Sequence, residues 1–340
     1  MAKCKIGVAV IGSGRAGMIH ARNYKNRVED AELVAVMDPD EKASKQASQE
    51  LELKDYYLEL DNLLNDDKVE AVIVATPTAY HRDIVVKAAQ ASKDIFCEKP
   101  MAMNVAECDE MIEAAAENEV KLQIGFMRRF AESFRSAWDA IADGKIGEVV
   151  MVKSNTRGPS TPKRWMYDIE KSNGPLAEVN SHDIDTIRWY TGGEFETIYA
   201  IGGNYRCPEA REEFPDFYDN VVLTGTLSNG KQGSIDGAQG VKYGYDARVE
   251  ILGTRGCIFI GQVHEKSITV CSTEEGLTRP VMTSWTKLFQ EAYVNEARHF
   301  IDCLKKDKKP EVTGIDGKMA VKVVEAGNRS IVENRIVKLS

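Results

Sequence analysis

The segment Gly12-Ser13-Gly14-Arg15-Ala16-Gly17 constrains this chain more than any other. Its glycines follow the apolar run 5–11 and precede residues 16–26, which have helical composition. Between a strand and a helix, each glycine of G-x-G-x-x-G has its own task. The first permits a tight turn, the second lets the backbone approach a pyrophosphate, and the third lets helix pack closely on strand. The helix N-terminus then presents free N–H groups and the positive end of its dipole to an anion. Glycines also mark ordinary turns, and it is the flanking strand and helix that favour a dinucleotide.

Asp38 points the same way. It ends the second apolar run, 32–37, where an acidic residue accepts from a ribose 2′-hydroxyl. Pro39, Asp40 and Glu41 follow, so no cation is at hand for an extra phosphate. NAD is therefore expected over NADP, with Asp40 a second candidate for the ribose contact.

Apolar runs at 5–11, 32–37, 71–75, 94–97 and 121–125 alternate with helical segments at 16–26, 41–51, 80–91 and 106–118. This βαβ rhythm predicts a parallel sheet covered by helices on both faces. After about residue 126 the rhythm changes. Strand-like segments at 149–155, 197–202, 220–227, 233–238, 248–252 and 267–271 are separated by Gly, Asn and Asp turns, and antiparallel pairing is expected. Helices are expected at 288–305 and 315–330. The fold class is thus α/β: a Rossmann dinucleotide domain over 1–125, then an α+β substrate and oligomerisation domain over 126–340. A length of 340 residues fits two domains of ~150 residues.

The net charge of −9 gives no broad basic surface for a phosphate backbone, so nucleic acid is not an expected partner. No apolar run approaches the ~20 residues of a membrane span. Lys3 and Lys5 before an apolar run imitate a secretion signal, but the run is too short. The seven cysteines are scattered and include no C-x-x-C pair, and the histidines are dispersed, so neither disulfides nor a metal site is expected. A cytoplasmic location follows as the expectation.

Two clusters carry the chemistry. Glu98-Lys99-Pro100 lies just past the end of a predicted parallel strand, the edge at which open α/β sheets bind ligands. A lysine there can donate to a substrate hydroxyl or relay its proton. In 178–185, a continuous helix would put Glu178, His182 and Asp185 on one face. Leu176, Val179, Ile187 and Tyr190 would form a separate, buried arc. A histidine beside a carboxylate suits alcohol oxidation, since it accepts the hydroxyl proton while the carboxylate orients the ring. A structural histidine on a polar helix face fits the same pattern.

Together these motifs resemble the Gfo/Idh/MocA family, the glucose–fructose oxidoreductase and inositol dehydrogenase family, over essentially the whole chain. The resemblance rests on the glycine segment, Ala75-Thr76-Pro77 with His81, and Phe96-Cys97-Glu98-Lys99-Pro100. It continues through Gly125-Phe126-Met127-Arg128-Arg129-Phe130, Ser181-His182-Asp183-Ile184-Asp185, Tyr243-Gly244-Tyr245-Asp246-Ala247-Arg248 and Phe289-Gln290-Glu291-Ala292-Tyr293. It implies a Rossmann domain plus an open antiparallel sheet domain, often assembled as a homodimer or homotetramer through that sheet. It implies hydride transfer between NAD and a ring carbon of a cyclitol or sugar, with Lys99 and His182 as the catalytic pair. Glu178 stands where many members carry Asp. By resemblance the cofactor is lined by Gly12, Ser13, Gly14, Arg15, Ala16, Gly17, Asp38, Thr76, Pro77, His81, Glu98 and Lys99, with Arg128 and Trp165. Tyr-Gly-Tyr-Asp is similar to inositol dehydrogenases and brings Tyr245 toward a polyol; in a strand, Tyr243 would share its face. Asn155 is a further substrate candidate, with Arg157 and Lys153 behind it. The expected activity is that of an inositol 2-dehydrogenase. The alternatives are a sugar or glycoside 3-dehydrogenase, an enzyme that recycles a bound cofactor, and an NAD-sensing binding protein.

Overall fold

The computed structural model describes residues 5–265, 268–274 and 276–339. Lys3 and Cys4, and Ser267 at the start of an expected strand, lie outside them. The chain divides into two compact units: Met1–Phe130 with Glu291–Val321, and Ala131–Gln290 with Lys322–Ser340.

In the first unit, β1 (Ile6–Ile11), β2 (Ala31–Met37), β3 (Asp55–Tyr57), β4 (Ala71–Val74), β5 (Asp94–Cys97) and β6 (Leu122–Ile124) form one parallel sheet. The order is β3-β2-β1-β4-β5-β6. The central strands β1 and β4 are apolar almost throughout, as strands covered on both faces must be. β3 is not among the expected strands; Asp-Tyr-Tyr is half-buried at the sheet edge and carries no apolar run. The strand order reverses between β1 and β4, which opens a crevice at their C-terminal ends.

The helix Gln290–Lys305 belongs to this unit, whereas the expected boundary placed it in the second domain. Its Ala297, Phe300 and Ile301 enter the same core as Val8, Tyr24 and Phe96. An apolar stripe on a helix must find a cover, but its spacing does not say which sheet supplies it.

The second unit holds β7 (Val149–Gly158), β8 (Phe195–Gly203), β9 (Asn220–Leu227), β10 (Gln232–Gln239), β11 (Asp246–Gly253) and β12 (Cys257–Ile260). β13 (Val270–Ser272) and β14 (Gly276–Thr278) form a separate ribbon. With β15 (Val337–Lys338), the large sheet runs β12-β11-β7-β10-β9-β8-β15. It is not wholly antiparallel as expected, because β10 pairs parallel with β7. The helices Gly174–Glu178 and Ser181–Thr191 intervene between β7 and β8. A helical crossover returns the chain in its starting direction, and the β8-β9-β10 meander then brings its third strand alongside β7.

Alternation along β7 separates two faces. Val152, Ser154 and Thr156 are buried on the side that carries the helix Ser181–Thr191, while Lys153, Asn155 and Arg157 point the other way. That second face also carries exposed Ile201, Val222 and Phe259. Among the described residues, no helix is long and apolar enough to cross a membrane.

Candidate active site

The glycine loop joins β1 to the helix Arg15–Asn26. Gly12 has φ +99°, and a Cβ there would lie 2.7 Å from the Ala75 carbonyl oxygen. A Cβ on Gly17 would lie 1.8 Å from the Gly12 carbonyl oxygen, so turn and helix can meet only if both are glycine. Gly14 differs: a Cβ there would have nothing within 4 Å, and no side chain caps the helix that starts beside it. The loop therefore leaves open space in front of the helix N-terminus. Arg15 is exposed and Ala16 half-buried at this start.

Asp38 follows β2, and its carboxylate accepts from the Ser13 N–H at 2.8 Å and the Asp40 N–H at 3.0 Å. Asp40 instead caps the helix Glu41–Glu50 through the N–H groups of Lys42 and Ala43. The hydroxyls of Ser13 and Thr76 are buried without a partner, at the ends of the neighbouring strands β1 and β4. Open space at Gly14, two orphaned hydroxyls and an anchored aspartate fit a dinucleotide. Pro77 is exposed beside Thr76.

Lys99 is half-buried in the turn that leaves β5. Glu98 fixes this turn from within. Its Oε1 accepts from His20 Nε2 at 2.7 Å, and its Oε2 accepts from the Lys99 N–H at 3.0 Å. Burial alone would raise the Glu98 carboxyl, but the hydrogen bond and charge of His20, with Lys99, outweigh it and hold the carboxyl below its ordinary range. Gly125 gives the carboxylate room, since a Cβ there would come within 3.1 Å of Oε2. His81 is only 1 % exposed and both ring nitrogens face carbonyl oxygens, so its side chain offers nothing to a cofactor. Arg128 is likewise fully buried, and Arg129 pairs with Asp316 at 2.8 Å; neither is a solvated surface charge.

In the second unit, His182 opens the helix Ser181–Thr191 and is 6 % exposed. Glu178 does not share its helix, contrary to expectation. The helix Gly174–Glu178 stops at Val179, and the N–H groups of Val179 and Asn180 both turn back to the Pro175 carbonyl. Asn180 gives its side-chain amide to Asp183 at 2.8 Å, which favours a new helix start over continuation. Val179 is half-buried rather than core, while Leu176, Ile187 and Tyr190 are buried as expected. Asp185 remains one turn from His182 and faces Arg188 at 3.7 Å.

Two geometric expectations change on the same unit. Asn155 lies on the sheet face opposite the His182 helix, because alternation sends Ser154 and Thr156 to that helix. Its neighbours there are Arg157 on the same strand and Asp236, Asp246 and Arg248 in the paired strands. Tyr243 and Tyr245 do not share a face: Gly244, at φ +117°, turns the chain between them and β11 begins only at Asp246. Tyr243 is exposed and donates to Asp246 at 2.8 Å, whereas Tyr245 is buried against Gly158. Trp165 is 42 % exposed on the short 3₁₀ turn Arg164–Tyr167.

Residues 6–126 match an oxidoreductase family domain described as an NAD-binding Rossmann fold, and residues 139–339 match its C-terminal alpha/beta domain. The chain belongs to the Gfo/Idh/MocA oxidoreductase family. This family member is 33% identical over 332 residues to a myo-inositol 2-dehydrogenase of Thermotoga maritima, covering 98% of each chain. It is 33% identical to a scyllo-inositol 2-dehydrogenase (NAD(+)) of Bacillus subtilis, over 97% of this chain and 95% of that one. Its fold matches a Lactobacillus casei scyllo-inositol dehydrogenase, solved with NAD(H) and scyllo-inositol, at TM-score 0.90 and 27% identity. That match covers 98% of this chain and 99% of the other.

Two features of this Gfo/Idh/MocA member escape a reading of the sequence. His20 is invisible as a partner because Glu98 lies 78 residues away. Asp183 enters only as part of a motif. Its fully buried carboxylate accepts from Ser154 at 2.5 Å, Thr156 at 2.9 Å and Asn180 at 2.8 Å, pinning the residue next to His182 to β7. Alternating Ser154 and Thr156 on a strand is the one available signal.

Proposed function

We propose that this chain is an NAD-dependent cyclitol dehydrogenase that oxidises a secondary ring hydroxyl of an inositol to a ketone, reversibly. The observation that carries the proposal is full-length similarity to relatives named as inositol 2-dehydrogenases, joined to a glycine loop and Asp38 built for NAD. NAD supplies the hydride acceptor when bound. Gly12, Gly14 and Gly17 shape its pyrophosphate cradle, and Asp38 takes the ribose hydroxyl and disfavours a 2′-phosphate.

Lys99 and His182 share the proton chemistry. Lys99 donates to the reacting oxygen and stabilises charge developing there, and His182 accepts the hydroxyl proton as the C–H bond breaks. Glu178 stands outside the helix of His182, and its part is contact with substrate hydroxyls. The apolar residues on the sheet's second face favour assembly with further copies of this chain, which light scattering of the purified protein would register.

The test is reduction of NAD and of NADP with myo-inositol, scyllo-inositol, glucose and a glucoside. Turnover is expected with NAD and an inositol. Lys99→Ala and His182→Ala should each lower kcat by about 100-fold or more while NAD still binds. Full turnover in both variants would remove the assigned roles. Oxidation of the glucoside alone would move the substrate to 3-keto chemistry.

A further inference from the structure

The turn carrying Lys99 is gripped on both sides by buried histidines. On its N-terminal side, His20 from the helix Arg15–Asn26 holds Glu98, and Glu98 holds the Lys99 N–H. On its C-terminal side, His81 Nδ1 lies 3.0 Å from the Pro100 carbonyl oxygen and 3.3 Å from that of Met101. His81 Nε2 lies 2.9 Å from the Thr76 carbonyl oxygen. His81 opens the helix His81–Gln90, directly after the loop that leaves β4. Its ring therefore bridges the loops that follow β4 and β5, and all of these groups belong to one unit.

A neutral imidazole has a single N–H, and every acceptor around His81 is a carbonyl oxygen. Which nitrogen carries the proton decides which loop is tied. At 1 % exposure the ring cannot touch a substrate, so its influence must pass through the backbone. The Pro100 carbonyl belongs to the residue that follows Lys99.

The geometry points to His81 as a positioning residue for Lys99, donating from Nδ1 to the Pro100 carbonyl and so fixing the turn that aims the lysine. This inference rests on the role given to Lys99 above. The alternative donor, Nε2 to Thr76, would steady the cofactor loop instead and leave the lysine turn untied on that side.

Two amide substitutions separate these outcomes. Truncation to alanine would remove both ring contacts at once, so the two nitrogens are replaced one at a time. His81→Asn places an amide N–H where Nδ1 sits, and His81→Gln places one where Nε2 sits. In His81→Gln, kcat should fall by up to about 100-fold with the Kd for NAD unchanged, whereas His81→Asn should stay within about threefold of the parent. Equal losses in the two variants, or a raised Kd for NAD without loss of kcat, would overturn the positioning role. Lys99→Ala is measured alongside. If it turns over normally, the reading of Lys99 fails and the inference with it; if it is dead while His81→Gln is fully active, only the inference fails. A direct measurement on the unaltered enzyme guards against variants that do not fold. With 15N-labelled histidine, the ring signals of His81 should show a protonated Nδ1. A bare Nδ1 with a protonated Nε2 would refute the proposal.

Discussion

A single Cβ separates two kinds of glycine in the phosphate loop. Gly17 has no room for one, because it would overlap the Gly12 carbonyl at 1.8 Å. Gly14 has φ −72° and open space around it, so alanine is tolerated by the chain itself. Gly14→Ala should therefore leave the thermal midpoint within about a degree, yet weaken NAD about tenfold or more by filling the cradle. Gly17→Ala should instead lower the midpoint markedly, since strand and helix must separate. Differential scanning fluorimetry and NAD titration of both variants check the pair. Equal effects on stability would show that Gly14 is only a turn glycine.

At the scale of elements, the helix Ser181–Thr191 is anchored by polar groups more than by an apolar stripe. Every residue in it is buried, including His182, Asp183, Asp185 and Arg188. Asp183→Ala would take from the hydroxyls of Ser154 and Thr156 and the amide of Asn180 an acceptor they share in a buried site. The expected loss is about 3 kcal/mol or more, measured as a fall in urea midpoint. Asn180 is itself hemmed in, because a Cβ on Gly237 would come within 2.1 Å of its Oδ1. The anchor explains why the expected continuous helix from Glu178 breaks. A side-chain bond between Asn180 and Asp183 is local, but its benefit depends on β7 supplying two hydroxyls from distant sequence.

For the whole molecule, Glu98 and His81, both buried in the first unit, contribute to its response to acid. The Glu98 carboxyl is held below its ordinary value of 4.5, so the unfolded chain binds the proton more readily. Its stabilising contribution is complete above that value and disappears as pH falls through the lowered one. Burial pushes His81 below its ordinary 6.5, more than its carbonyl partners and Glu98 restore. The unfolded chain again takes up the proton first, and stability declines as pH drops below 6.5. Urea midpoints should therefore fall in two stages on acidification, with the lower stage reduced in Glu98→Gln. A midpoint independent of pH across both windows would contradict both shifts.

Much of this protein is legible in its sequence because the signals are local. The glycine loop, Asp38 at a strand end, the Glu98-Lys99-Pro100 turn and the alternation of strands with helices each depend on neighbours within a few residues. Backbone sterics and strand ends act at that range, so the parallel sheet of the first unit and its nucleotide edge can be read directly. Tertiary structure decided what required distant partners. It assigned the helix Gln290–Lys305 to the first core, made β10 parallel to β7, and turned Asn155 away from the His182 helix. It also brought His20 to Glu98 and His81 to Pro100, because a buried donor takes whichever acceptor the packed chain places beside it.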